Sequence, residues 1–135
     1  LAARQAATIL QELNFPRELL PAVSHAIEAH SFSANIPATT LEAKLIQDAD
    51  RMEALGAIGL ARVFYTSGRM QRAMFDPVDP LAKHRPLDDL AFALDHFFVK
   101  LYRVADSMQT QAGRTMAQAR RRLLERYVHD LLEEL

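Results

Sequence analysis

The chain of 135 residues carries 16 Lys and Arg against 17 Asp and Glu, a formal net charge of -1, and no cysteine. Its length suits one domain with a sizeable core, and the balanced charge gives no global reason to expect nucleic acid or an acidic membrane as partner. Disulfides and thiolate metal sites are excluded. The apolar runs fall far short of the roughly 20 residues that span a bilayer, and the N-terminus lacks a signal-peptide layout. We therefore expect a cytoplasmic protein with no membrane partner.

The chain opens at Leu1 already in a helical pattern, and we expect a fragment that lacks preceding helices. Ala3, Ala6, Ala7 and Leu10 share one face of a first helix to about Leu13, which Asn14 ends. Pro16 suits the first turn of a second helix, running through Leu19, Leu20, Val23 and Ile27 to about Ala29. The segment from Ser31 to Pro37, including Phe32, Ser33 and Ala34, reads as a connection. Thr39 and Glu42 have capping-box spacing, and a long helix or two abutting ones should follow from about Thr40 to Tyr65.

From Thr66 to Pro86 the helical period fails at Gly68, Pro77, Pro80 and Pro86, leaving at most one turn around Met70 to Met74. A connection of this length tends to be a lid or binding loop. Asp88 or Asp89 is expected to start the next helix, whose stripe Leu90, Leu94, Phe97, Phe98, Leu101 and Val104 follows the 3.6 period. Gly113 interrupts the pattern ahead of a last helix from about Arg114 to Leu135. No stretch alternates long enough to form a strand, so the expected fold class is all-α.

The chemistry concentrates in Gln47 to Arg62. Carboxylates are rarely buried without a partner or a metal. Asp48 and Asp50 lie about 200° apart around a helix axis, so they leave opposite faces and do not share one ion. Asp48 is one turn from Arg51 and pairs with it on spacing alone, whereas Asp50 shares a face with Ile46 and Ala57. Spacing leaves two readings open, a solvated charged face or a carboxylate ligand for a divalent metal. Gly56 and Gly59 stand on one side of the helix, where another backbone can approach.

His25 and His30 are about 140° apart and do not form a simple metal pair. If the helix ends near Ala29, His30 turns with Ser31 and Ser33 towards a site; otherwise it caps the helix end. His25 reads as a hydrogen-bonded core residue.

Ser24-His25-Ala26-Ile27-Glu28-Ala29-His30-Ser31-Phe32-Ser33, followed by the run from Glu42 through Ala49-Asp50-Arg51-Met52 to Gly59, resembles the second half of an HD-domain metal-dependent phosphohydrolase. Asp79-Pro80, His84 to Asp89, and Ala93-Leu94-Asp95-His96-Phe97 with Lys100 resemble the subgroup of small HD hydrolases. The resemblance implies a compact, all-helical HD-like bundle over residues 1–135. It also implies a divalent metal ion, Mn, Mg or another transition metal, held by a histidine, a His-Asp pair and a later aspartate. Asp50 matches that last aspartate and Asp48 is the fallback. No His-Asp pair precedes Asp50, and Asp95-His96 and His129-Asp130 follow it in the wrong order, so neither inherits the missing ligands.

The implied reaction is hydrolysis of a phosphorylated small molecule, a nucleotide by resemblance, through metal-activated water. Arg51, Lys100 and Arg85 are the candidate phosphate contacts, and His30 the acid-base group. Lys100 with Ala93, His96 and Arg103 also fits a wet face opposite the Phe97 stripe. The Thr66 to Pro86 connection would cover the site. An alternative class is a catalytically inactive helical interaction module, including a homodimer. Arg120-Arg121-Arg122 with Arg126 reads as a solvated helix with local ion pairs rather than a nucleic-acid surface, since no aromatic residues interleave it.

Overall fold

The computed structural model describes residues 1–31 and 35–135, and six α-helices account for most of them. Phe32, Ser33 and Ala34, which the sequence assigns to a connection, lie outside the described residues. Helix α1 (Ala2–Glu12) ends at Asn14, whose φ of 56° lets the chain reverse. A 3₁₀ turn (Arg17–Leu19) capped by Pro16 leads into α2 (Leu20–Ala29), which holds Pro21 in its first turn, where no backbone donor is lost.

Thr40, rather than Thr39, caps α3 (Leu41–Met52), its hydroxyl accepting from the Ala43 N–H at 3.2 Å. Thr39 instead offers its N–H to His25 Nε2 at 3.1 Å, with its hydroxyl 3.0 Å from the same nitrogen, which ties α2 to the approach to α3. The expected long helix is two. It breaks after Met52, whose carbonyl accepts from Arg120 Nη1 at 2.7 Å, and resumes as α4 (Gly56–Arg69). Gly56 makes the break with a φ of 72°, a left-handed conformation that a Cβ disfavours. At Gly59 a Cβ would run into the Ala54 carbonyl, so both glycines serve the close turn.

Residues 70–94 form an irregular excursion in which Ala73 pairs with Phe92 in an isolated parallel bridge. No helical turn forms at residues 70–74, and helical structure resumes only at Asp95, later than the sequence suggests. A π-helix (Phe97–Leu101) then passes directly into α5 (Tyr102–Asp106), and α6 (Gln111–Glu133) completes the chain.

The helical stripe supplies the main core. Leu94, Phe97, Leu101 and Val104 are buried with Leu55 and Leu124, whereas Leu90 stays in solvent. Phe97 stacks on Tyr127 at 6.1 Å, and Phe64 meets the same ring edge-on at 5.5 Å. Burial of aromatics in such a cluster supplies about 3–5 kcal/mol per Phe relative to Ala. A second, smaller cluster of Ala26, Ala29, Ala38 and Ala43 joins α2 to α3 at close range. Helix α1 packs on α2, α2 on α3, and α6 across α3, α4 and α5.

Candidate functional site

The two aspartates of α3 have different surroundings. Asp48 is 4% exposed and takes three hydrogen bonds, from the N–H groups of Gln109 and Thr110 at 2.7 and 2.8 Å and from Thr110 Oγ1 at 2.7 Å. Its charge is therefore held at the N-terminus of α6, where both the dipole and the unpaired donors favour an anion. Asp48 is a structural cap rather than the simple ion-pair partner of Arg51. Asp50 is exposed, and among the described residues its carboxylate accepts no hydrogen bond.

Arg51 is buried, and its Nη1 donates to the Ser107 carbonyl at 2.6 Å. Burial pushes its guanidinium below the ordinary pKa, while Asp48 and Asp50 pull it back up. It lines a cavity of about 650 Å³ between the end of the α2–α3 connection and the α5–α6 turn, together with Gln47, Arg103 and Ser31. His30 is half-buried at the end of α2, and its Nδ1 lies 2.6 Å from the Ile27 carbonyl. Ser33, its expected companion, lies outside the described residues. Arg85 makes two bonds to the fully buried Asp95, at 2.6 and 2.9 Å, and lies over the Phe92 ring at 4.4 Å.

Lys100 stands elsewhere, in a cavity of about 270 Å³ lined also by Arg62 and Thr66 of α4, Arg72 of the excursion, and His96. Four cationic or protonatable side chains thus meet in one concavity. Among the described residues, Lys100 and Arg72 make no ion pair, and Arg62 reaches only the exposed Glu53 at 3.4 Å. Positive charge converging on a cleft is the electrostatic form of an anion site. Ala54, four residues after Asp50, lines the same cavity. Sequence reasoning found Lys100 but missed Arg62 and Arg72. The available signal was local: His96 with Lys100, and Arg62 with Thr66, each share a face at a spacing of four.

Among the described residues no cluster of three potential ligands includes Asp50; the one such cluster is His129, Asp130 and Glu133, exposed on α6. Divalent ions take four or more ligands. These residues alone do not make the implied metal site, and no chemical step is assigned through it.

The sequence model of the HD domain matches residues 2–55, the stretch that contains both aspartates and His30. The chain belongs to the HD-domain family. HD domains are generally metal-dependent. The chain is similar to the uncharacterized protein YpgQ of Bacillus subtilis, 32% identical over 96 residues, which is 71% of this chain and 41% of that protein. The crystal structure of B. subtilis YpgQ in complex with ADP superposes with a TM-score of 0.77 at 28% identity, covering 100% of this chain and 62% of that one. An HD-superfamily hydrolase from Bacillus thuringiensis gives 0.77 at 35% identity, covering 98% of this chain and 61% of the other. The HD chain thus spans about two fifths of its curated relative in sequence and under two thirds of these solved chains. No helix of the described residues is long and apolar enough to cross a membrane.

Proposed function

We propose that this chain is the phosphate-binding part of an HD-type, metal-dependent phosphohydrolase that acts on a nucleotide of the cytoplasm. The observation that carries the reading is the cationic cavity of Lys100, Arg62, Arg72 and His96, placed beside the turn that follows Asp50. A phosphate entering it gains charge-assisted hydrogen bonds with little reorganisation. The ADP bound to YpgQ supports a nucleotide as the class of ligand. In this reading Asp50 is one ligand of the metal and Lys100 holds the substrate phosphate. Arg51 fixes the α5–α6 turn through the Ser107 carbonyl, and His30 holds the end of α2 through the Ile27 carbonyl.

Metal analysis and phosphate release from a nucleotide panel, on this chain and on the longest natural form, test the reading. Asp50→Ala should abolish metal-dependent release in the active form, Asp48→Ala should retain more of it, and Lys100→Ala should raise KM by about 10-fold or more. Inactivity of both forms on every nucleotide would overturn the enzymatic reading. It would favour the interaction module instead, for which Leu41, Leu45 and Ile46 offer an exposed apolar surface on the helix of Asp50.

A further inference from the structure

The histidine of the cationic cavity is not a bystander in its own surroundings. His96 has a side chain 23% exposed, and its Nδ1 lies 2.8 Å from Oδ2 of Asp89, itself 28% exposed. An imidazole whose Nδ1–H donates to a carboxylate has a fixed ring orientation and tautomer, leaving Nε2 as its remaining polar atom. Among the described residues no bond occupies Nε2, and the ring lines the cavity with Lys100 and Arg72. His96 stands at the entry to the π-helix, a geometry that is rare in helices and recurs at functional sites.

The support beneath the pair is rigid. Asp95, the preceding residue, is fully buried, and its carboxylate accepts from the Asp88 N–H at 2.6 Å as well as from Arg85. Asp88 precedes Asp89. One buried carboxylate thereby fixes the backbone immediately before both members of the pair. A positioned acid needs such a frame, because proton transfer is efficient only at hydrogen-bond distance and alignment.

We propose that His96 is the catalytic proton donor to the leaving oxygen of a phosphate ester or anhydride bound in this cavity, with Asp89 as its positioning residue. The proposal rests on the phosphohydrolase reading and names an acid that reading leaves unassigned. A water oxygen forms the new bond to phosphorus, and the bond from phosphorus to the leaving oxygen breaks with its electron pair going to that oxygen. The leaving oxygen takes the proton of His96 Nε2. Solvent receives the surplus proton of the attacking water and reprotonates the imidazole. The charged groups facing the ring are Asp89 ahead of it, Lys100 one turn on, Arg62 from α4 and Arg72 from the excursion. The three cations hold the phosphoryl oxygens and the carboxylate steadies the imidazolium.

The test uses the longest natural form of the protein, loaded with Mn²⁺, and two substrates that differ in leaving group. A nucleoside 5′-monophosphate has a basic alkoxide leaving oxygen, and 4-nitrophenyl phosphate an acidic phenolate one that needs no proton. His96→Gln should lower kcat on the nucleotide by about 10²-fold or more, within the range of general acid catalysis, and change the nitrophenyl reaction less than about 5-fold. Asp89→Asn should give a smaller loss in kcat on the nucleotide with KM little changed, as the ring loses its fixed orientation while the phosphate contacts stay. Far-ultraviolet circular dichroism of each variant checks folding. A folded His96→Gln enzyme that loses both reactions equally, or neither, overturns the proton-donor role while the phosphohydrolase reading stands. A His96→Gln variant that does not fold leaves Asp89→Asn to decide, and a kcat on the nucleotide unchanged there overturns the proposal. A wild-type protein inactive on both substrates and on the wider nucleotide panel overturns the phosphohydrolase reading and this role together.

Discussion

Oδ2 of Asp48 occupies the space into which any side chain at Gly113 would grow. Position 113 reads in the sequence as an interruption ahead of the last helix, yet it lies inside the first turn of α6. The glycine is there so that a carboxylate from α3 can reach the donors of Gln109 and Thr110. Gly113→Ala should destabilise the fold by about 1–3 kcal/mol through overpacking. Asp48→Ala should lower stability by about 2–4 kcal/mol by releasing buried backbone donors. Urea unfolding followed by circular dichroism measures both, and a double variant losing less than the sum of the two would show that the residues act as one unit.

The Arg85–Asp95 pair carries a second prediction. Removing one partner of a buried ion pair leaves the other charged and unsolvated, whereas replacing both can be nearly neutral. Arg85→Met should therefore lower the melting temperature more than the double change Arg85→Met with Asp95→Leu. Arg85→Met should also exceed Arg62→Ala, whose exposed pair with Glu53 contributes under about 1 kcal/mol. Scanning calorimetry gives the order, and a double variant less stable than Arg85→Met would refute the argument.

Acid should open the excursion before it unfolds the helices. The N–H groups of Asp79 and Val78, with Arg85 adding attraction, hold the Asp76 carboxyl below the usual carboxylate range. Those of His84 and Lys83 do the same for Asp79. A carboxyl whose folded pKa is depressed contributes stability that is present above its unfolded value near 3.8 and lost as pH falls through the folded one. Amide exchange at residues 76–84 should accelerate below about pH 4, ahead of α6. In an Asp76→Asn, Asp79→Asn variant that acid dependence should flatten.

Much of the fold is legible in the chain because it is local. The Phe97 stripe follows one period, and Leu94, Phe97, Leu101 and Val104 enter the core as it demands. Asp88 misleads, since its side chain accepts from the N–H groups of Leu90 and Ala91 at 3.0 and 3.1 Å, the signature of a helix start. The turn stops there because Ala91 O and Ala93 N–H pair with Ala73, a partner that no local pattern reveals.

The site divides the same way. Opposite helix faces separate Asp48 from Asp50 in the sequence, but what holds Asp48 lies 61 and 62 positions further along. The cationic cavity collects α4, the excursion and the π-helix, three segments whose meeting is set by tertiary packing. The spacings of His96 with Lys100 and of Arg62 with Thr66 are the local signals that announce it. The expected cover proves to be a pinned excursion that begins after Arg69 and lends the cavity Arg72.

The π-helix has a bearing on how this chain tolerates changes in length. Its wider turn accommodates one residue more than an α-turn would in the same span. Deleting Val99 would restore α geometry and bring Lys100 to a spacing of three from His96, still on one face of the helix. The added residue lies between the segment that seats His96 and the segment that carries Leu101 and Val104 into the core. A one-residue deletion here is therefore absorbed by unwinding the bulge, whereas the same deletion in α3 or α6 would turn Asp48 or Gly113 away from the other.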